Sequence, residues 1–139
     1  QVQAVRRALA RLGAPQVKVV AKLESRSGLA NLDEIIDSAD AVMIARGDLV
    51  VAVGADRLPA VQARIAARVR ARGKELVIAT NFLSRMLTEA APSAANLRDV
   101  ARARRQGPRW LMLNETAISP HPVEAVRVLG AALDPGGAP

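Results

Sequence analysis

"KVVAKLESRSGL", Lys18 to Leu29, begins as an apolar run, sets a lysine and a carboxylate two residues apart where that run ends, and passes directly into helical spacing. A strand that is apolar throughout and leads straight into a helix is the signature of parallel pairing, with both faces of the sheet covered. Outward from this stretch the same unit recurs. Val17–Leu23 reads as a strand and Ser27–Ser38 as a helix, then Ala41–Ala45 as a second strand. After a loop comes the arginine-rich helix "RLPAVQARIAARVRARGK", which runs to about Arg72 and is stopped by Gly73. "ELVIAT", 75–80, is a third strand; Ser93 caps a helix through about Arg105; and "RWLMLN", 109–114, is a fourth strand. A last helix over Pro122–Leu133 precedes "DPGGAP". The expected organisation is one α/β domain over 1–133 made of parallel βα repeats, with a flexible tail over 134–139.

Composition narrows the class of function. Half of the 139 residues are hydrophobic, which is ordinary globular usage. No apolar run approaches the ~20 residues that span a bilayer, and no signal-peptide order is present at the first residues, so a protein of the cytoplasm is expected. With no cysteine, disulfides, thiolate metal sites and cysteine nucleophiles are excluded. The net charge of +7 is carried mostly by arginine. Leu58, Val61, Ile65 and Val69 mark the buried face of the arginine-rich helix and its arginines fall largely on the other, so a solvated face explains most of that charge. Aromatic residues make up 1% of the chain, too few for base-stacking platforms, and no nucleic-acid partner is expected.

The polar residues gather at one kind of place. Lys22 and Glu24 end the first strand, Arg46, Gly47 and Asp48 follow the second, Thr80 and Asn81 end the third, and Asn114, Glu115 and Thr116 end the fourth. Any one of these alone is ordinarily just where a strand meets water. Four strands obeying the same rule point to an active site, because parallel α/β proteins bring distant residues together at the carboxyl edge of the sheet. Residues two apart on a strand share a face, so Lys22 and Glu24 project together, beside Asp48 if strand order is sequential. Glu24 and Asp48 are then two hard oxygen donors of the kind magnesium takes, and Lys22 adds a cation for an anionic substrate. Gly47 admits close approach of the backbone to a ligand, the amides around Asp48 offer a seat for a carboxylate or phosphate, and Thr80 adds a hydroxyl. Phosphoryl transfer and enolate chemistry both fit this set.

Five segments together, "KVVAKLESRSGL", "MIARGDL" (Met43–Leu49), "IATNFLSRML" (Ile78–Leu87), "LMLNETA" (Leu111–Ala117) and "HPVEAV" (His121–Val126), resemble the pyruvate kinase family in order and approximate spacing. The resemblance implies a (β/α)8 TIM barrel of which this chain supplies the last four strands, a half-barrel. It implies phosphoryl transfer from phosphoenolpyruvate to ADP, giving pyruvate and ATP in glycolysis, with Mg2+ or Mn2+ and with K+. By the same resemblance Lys22 stabilises the transferring phosphoryl group and the enolate, and Glu24 and Asp48 hold the divalent ion. The Gly47 and Asp48 amides and the Thr80 hydroxyl receive the substrate carboxylate, while Arg46 belongs to the same signature loop. Two positions depart from the family pattern: Val50 stands where "ARGDLG" has glycine, and Asn114 replaces the Ser-Gly pair of "SGETA". The first four strands, which in the family supply an arginine and the potassium ligands, have no counterpart here, so a portion of a longer reading frame is expected. His121, a lone histidine between prolines, is expected to be a bystander. Two other readings remain: a magnesium-dependent lyase or aldolase acting on a pyruvate enolate, and an inactive half-barrel that binds anions or a partner chain or pairs with a second copy.

Overall fold

The computed structural model describes residues 1–133; the tail expected over 134–139 lies outside the described residues. Four strands, β1 (Val20–Leu23), β2 (Ala41–Ala45), β3 (Glu75–Ala79) and β4 (Trp110–Met112), form one sheet in sequence order, and every neighbouring pair is parallel. The helices are α1 (Val2–Arg11), α2 (Arg26–Ala30), α3 (Leu32–Ser38), α4 (Arg46–Val53), α5 (Leu58–Ala71), α6 (Ala94–Arg104) and α7 (Pro122–Leu133). Short 3-10 turns at Ser84–Leu87 and Glu115–Ile118 follow β3 and β4. This is the βα repeat that the sequence announces.

Register explains why the strands look apolar throughout. Leu23, Ile44, Ile78 and Leu111 stand side by side across the sheet. They join Ile36 of α3, Leu49 of α4, Ile65 and Val69 of α5, Val100 of α6 and Leu129 of α7 in one core. The alternate row, Lys22, Met43, Val77 and Trp110, faces the other way and has no part in that core. Near it Val20, Trp110 and Met112 are exposed. The expectation of a sheet covered on both faces is therefore corrected: the helices pack on one face, and Val20, Trp110 and Met112 of the second, the inward face of a half-barrel, are left uncovered.

Local chemistry accounts for the element ends. Gly73, at φ 62°, closes α5 with Gly73 N–H donating to Arg70 O and Lys74 N–H to Val69 O, the paired bonds of a Schellman stop. Ser93 caps α6 by accepting from Asn96 N–H, and the Asn96 side chain bonds back to Ser93 N–H. Of the arginine-rich helix, Ile65 and Val69 are fully buried, while Arg68 and Arg72 reach Asp33 on α3. Some details depart from the expected pattern. The helix expected over Ser27–Ser38 breaks into α2 and α3 at Asn31, β1 begins at Val20 rather than Val17, and α1 arises where no element was expected. Nothing in α1 is buried; Val2, Val5 and Leu9 recur at helical spacing, so a period was there to read, but what holds the helix is Arg6, through Asp40 and the Ser38 carbonyl.

Candidate active site

The segment after β2, expected as a loop, is helix α4, and this places "RGD" in its first turn. Val50 lies inside that unbroken helix, and its carbonyl accepts the closing Gly54 N–H at 2.8 Å, so valine in place of the family's glycine continues the helix. Asp48 sits in the first helical turn, where a carboxylate is favoured by the exposed N–H groups.

Lys22 of β1 projects from the open face, as does Glu24 just beyond the strand, and the Lys22 ammonium contacts both Glu24 and Asp48. The Asp48 contact is 3.2 Å. The hydrogen bond to Glu24, then that to Asp48, raises the Lys22 pKa above its ordinary 10.5, so the side chain is a cation at neutral pH and not a base. The three groups remain partly exposed and open to a ligand. Among the described residues no cluster of three or more acidic or histidine side chains forms a closed metal cage. A pair of carboxylates is nonetheless the donor set that suits magnesium, which commonly takes one or two and completes its octahedron with water and substrate oxygens. The residues present fit that ion.

Thr80 leaves β3 in the left-handed region at φ 69°, followed by Asn81 at 57° and, two residues on, Leu83 at 57°. A β-branched residue is rarely found there, and such residues each cost on the order of 1–3 kcal/mol. Several contacts hold the turn. Thr80 N–H donates to Met112 O at 3.0 Å, and Asn81 N–H to Glu115 Oε2 at 3.2 Å. Gly47 N–H donates to Thr80 Oγ1 at 2.8 Å. Arg46 Nε and Nη2 both donate to Thr80 O, at 2.9 and 2.7 Å, while Nη1 donates to Asp99 Oδ2 at 2.8 Å. The guanidinium lies 3.7 Å from the centre of the Phe82 ring. Charge-assisted bonds of this type contribute about 1.5–3 kcal/mol each, enough to offset the strain at Thr80.

Lys22, Glu24 and Asp48 thus form one contacting group, and Gly47 and Thr80 form a second across the ends of β2 and β3. Arg46 is 4% exposed and faces Thr80, Asp99 and Phe82. Sequence reasoning singled out neither Asp99, on α6, nor Phe82 as its partners; no local spacing joins residues 46, 82 and 99. Beyond β4, Glu115 reaches Asn81, whereas Thr116 is 1% exposed and faces inward. His121 contributes its backbone N–H to Ser119 Oγ and touches none of these groups through a hydrogen bond of its side chain.

Comparison with known proteins shows the family. The family model for the pyruvate kinase barrel domain matches residues 1–126. The chain is 36% identical over 133 residues to a pyruvate kinase of Chlamydia pneumoniae, covering 95% of this chain and 28% of that protein. It is 39% identical over 127 residues to one of Aeropyrum pernix, covering 91% and 28%. A similar pyruvate kinase of Geobacillus stearothermophilus, 39% identical over 114 residues, is covered to 19% of its length. Among solved structures, a pyruvate kinase from Cryptosporidium parvum superposes with a TM-score of 0.90 at 29% identity, over 95% of this chain and 28% of that one. The chain spans 19% to 28% of the length of these relatives.

Proposed function

The chain belongs to the pyruvate kinase family, and from that premise we propose that it bears the metal-binding and phosphoryl-transfer part of a site that moves the phosphoryl group of phosphoenolpyruvate to ADP. The observation that supports this most is the contact of Lys22 with both Glu24 and Asp48, three charged groups delivered from the carboxyl ends of adjacent strands. Glu24 and Asp48 would hold Mg2+ or Mn2+. A divalent ion bound there supplies positive charge to the phosphoryl and enolate oxygens.

The chain's own residues then have distinct tasks. Lys22, a cation throughout the neutral range, faces the phosphoryl oxygens and offsets the negative charge that grows on the enolate oxygen as the P–O bond breaks. The Thr80 hydroxyl accepts from Gly47 N–H, so its own proton is left to donate to the substrate carboxylate. Gly47 lets that carboxylate come close to the first turn of α4. By the family resemblance, potassium ligands and the remaining substrate contacts would come from barrel strands other than these four, and the reaction would run in the cytoplasm.

The test is pyruvate formation from phosphoenolpyruvate with and without ADP by a longer protein that joins this chain to the remaining barrel strands. Turnover that requires ADP is expected; release of pyruvate without nucleotide would instead favour the lyase reading. Lys22→Ala is expected to lower kcat by about 100-fold or more while changing phosphoenolpyruvate affinity far less, since the cation acts mainly on charge that develops in the transition state. Undiminished turnover in that variant would overturn the role given to Lys22.

A further inference from the structure

We infer that Arg46 is a positioning residue that fixes the Thr80 hydroxyl for the substrate carboxylate, an inference that rests on the reading of Thr80 given above. An arginine two residues before a metal-binding aspartate invites assignment to an anionic substrate. The structure turns it the other way. Its side chain is 4% exposed, and Nε, Nη1 and Nη2 are all engaged within the protein.

What the guanidinium grips is the carbonyl of a residue in an unfavourable backbone region. Two of its N–H groups converge on Thr80 O, the third nitrogen is anchored on Asp99, and Phe82 supports the cation's face. The adjacent residue grips the other end of Thr80, because Gly47 N–H donates to Oγ1. Residues 46 and 47 therefore hold Thr80 at its carbonyl and at its hydroxyl. With φ set at 69° and the carbonyl direction clamped, the stiff β-branched side chain has little freedom in χ1. Since Oγ1 already accepts from Gly47, the only role left to its proton is donation, and among the described residues it has no acceptor. Arg46 thus reaches the substrate through the geometry of Thr80. Lysine keeps the charge at this position but is a point donor, and it cannot satisfy Thr80 O and Asp99 with the same fork.

The test is a double-mutant cycle on the dissociation constant of phosphoenolpyruvate, measured by calorimetry on a longer protein that joins this chain to the remaining barrel strands, with KM, kcat and melting temperature recorded for each variant. Thr80→Val removes the hydroxyl and is expected to weaken binding about tenfold, the loss of a hydrogen bond to a charged group. Arg46→Lys is expected to weaken binding about fivefold, raising KM while kcat stays within about twofold. In the Thr80→Val background Arg46→Lys should add almost nothing, because the group it positions is gone. Full, multiplicative weakening in the double variant would overturn the inference while leaving the Thr80 assignment intact. No effect of Thr80→Val alone would overturn the Thr80 assignment itself and the inference with it. If Arg46→Lys fails to fold, Asp99→Asn, which loosens the guanidinium from its other side, takes its place in the same cycle, and the same two outcomes decide.

Discussion

At the scale of single residues, Gly47 separates what the fold needs from what a ligand needs. A Cβ added there would meet Thr80 Oγ1 at 3.4 Å and Asn81 Nδ2 at 3.9 Å, ordinary contacts that require nothing to move. Gly47 lies in the first turn of α4, where alanine is favoured over glycine by about 0.5–1 kcal/mol. Gly47→Ala is therefore expected to leave the melting temperature unchanged or slightly higher, and to weaken phosphoenolpyruvate binding through the methyl group it adds beside the ligand. Thermal melts and calorimetry on the same variant check this; unchanged affinity would mean that no ligand approaches that backbone. Lys22, Glu24 and Asp48 were legible in the sequence because strand period and strand-end position are local facts. The partners of Arg46 were not, since residues 80, 82 and 99 meet it only through a turn and a helix that follow much later in the chain.

Among the elements, α1 is the one attached by charge rather than by packing. Asp40, between α3 and β2, accepts from Val19 N–H at 2.7 Å and from Arg6 Nη2 at 2.6 Å, with Lys18 nearby. The backbone bond from Val19 and then the Arg6 interaction hold its carboxyl below the ordinary 3.8 against the opposing effect of burial. A carboxylate with a lowered folded pKa stabilises the protein above its unfolded pKa, and that contribution is lost as pH falls through the folded value. Asp40→Asn is accordingly expected to lower stability by about 1 kcal/mol at pH 7. The difference in melting temperature between the two proteins should close as pH drops below 3.8. A gap that persists at pH 2 would show that the side chain acts by shape and not by charge. The helix stop at Gly73 and the helix start at Ser93 were readable because capping residues announce themselves, whereas α4 was not: its apolar run "LVVAV" has no polar face to mark a helical period.

For the molecule as a whole, the decisive feature is the sheet's second face. Val20, Trp110 and Met112 are exposed near the two free edges of the sheet, β1 on one side and β4 on the other. A groove of 620 Å³ runs beside β1, lined by Val5, Val20, Lys22 and Glu24 among others. Open strand edges and the exposed apolar side chains beside them call for further strands. The chain by itself is expected to show no detectable turnover. Adding a polypeptide that bears the complementary barrel strands should shift emission of Trp110, the single tryptophan, to shorter wavelength as it is buried. Trp110 emission unaltered by such a polypeptide would count against barrel completion. The sequence by itself determined the repeat of strand and helix, the parallel sheet and the gathering of charged residues at one edge, because hydrophobic period, caps and strand ends are properties of neighbouring residues. Only the tertiary structure decided that one face of the sheet stays open and that Arg46 serves Thr80, because both depend on groups that register and packing bring together from distant parts of the chain.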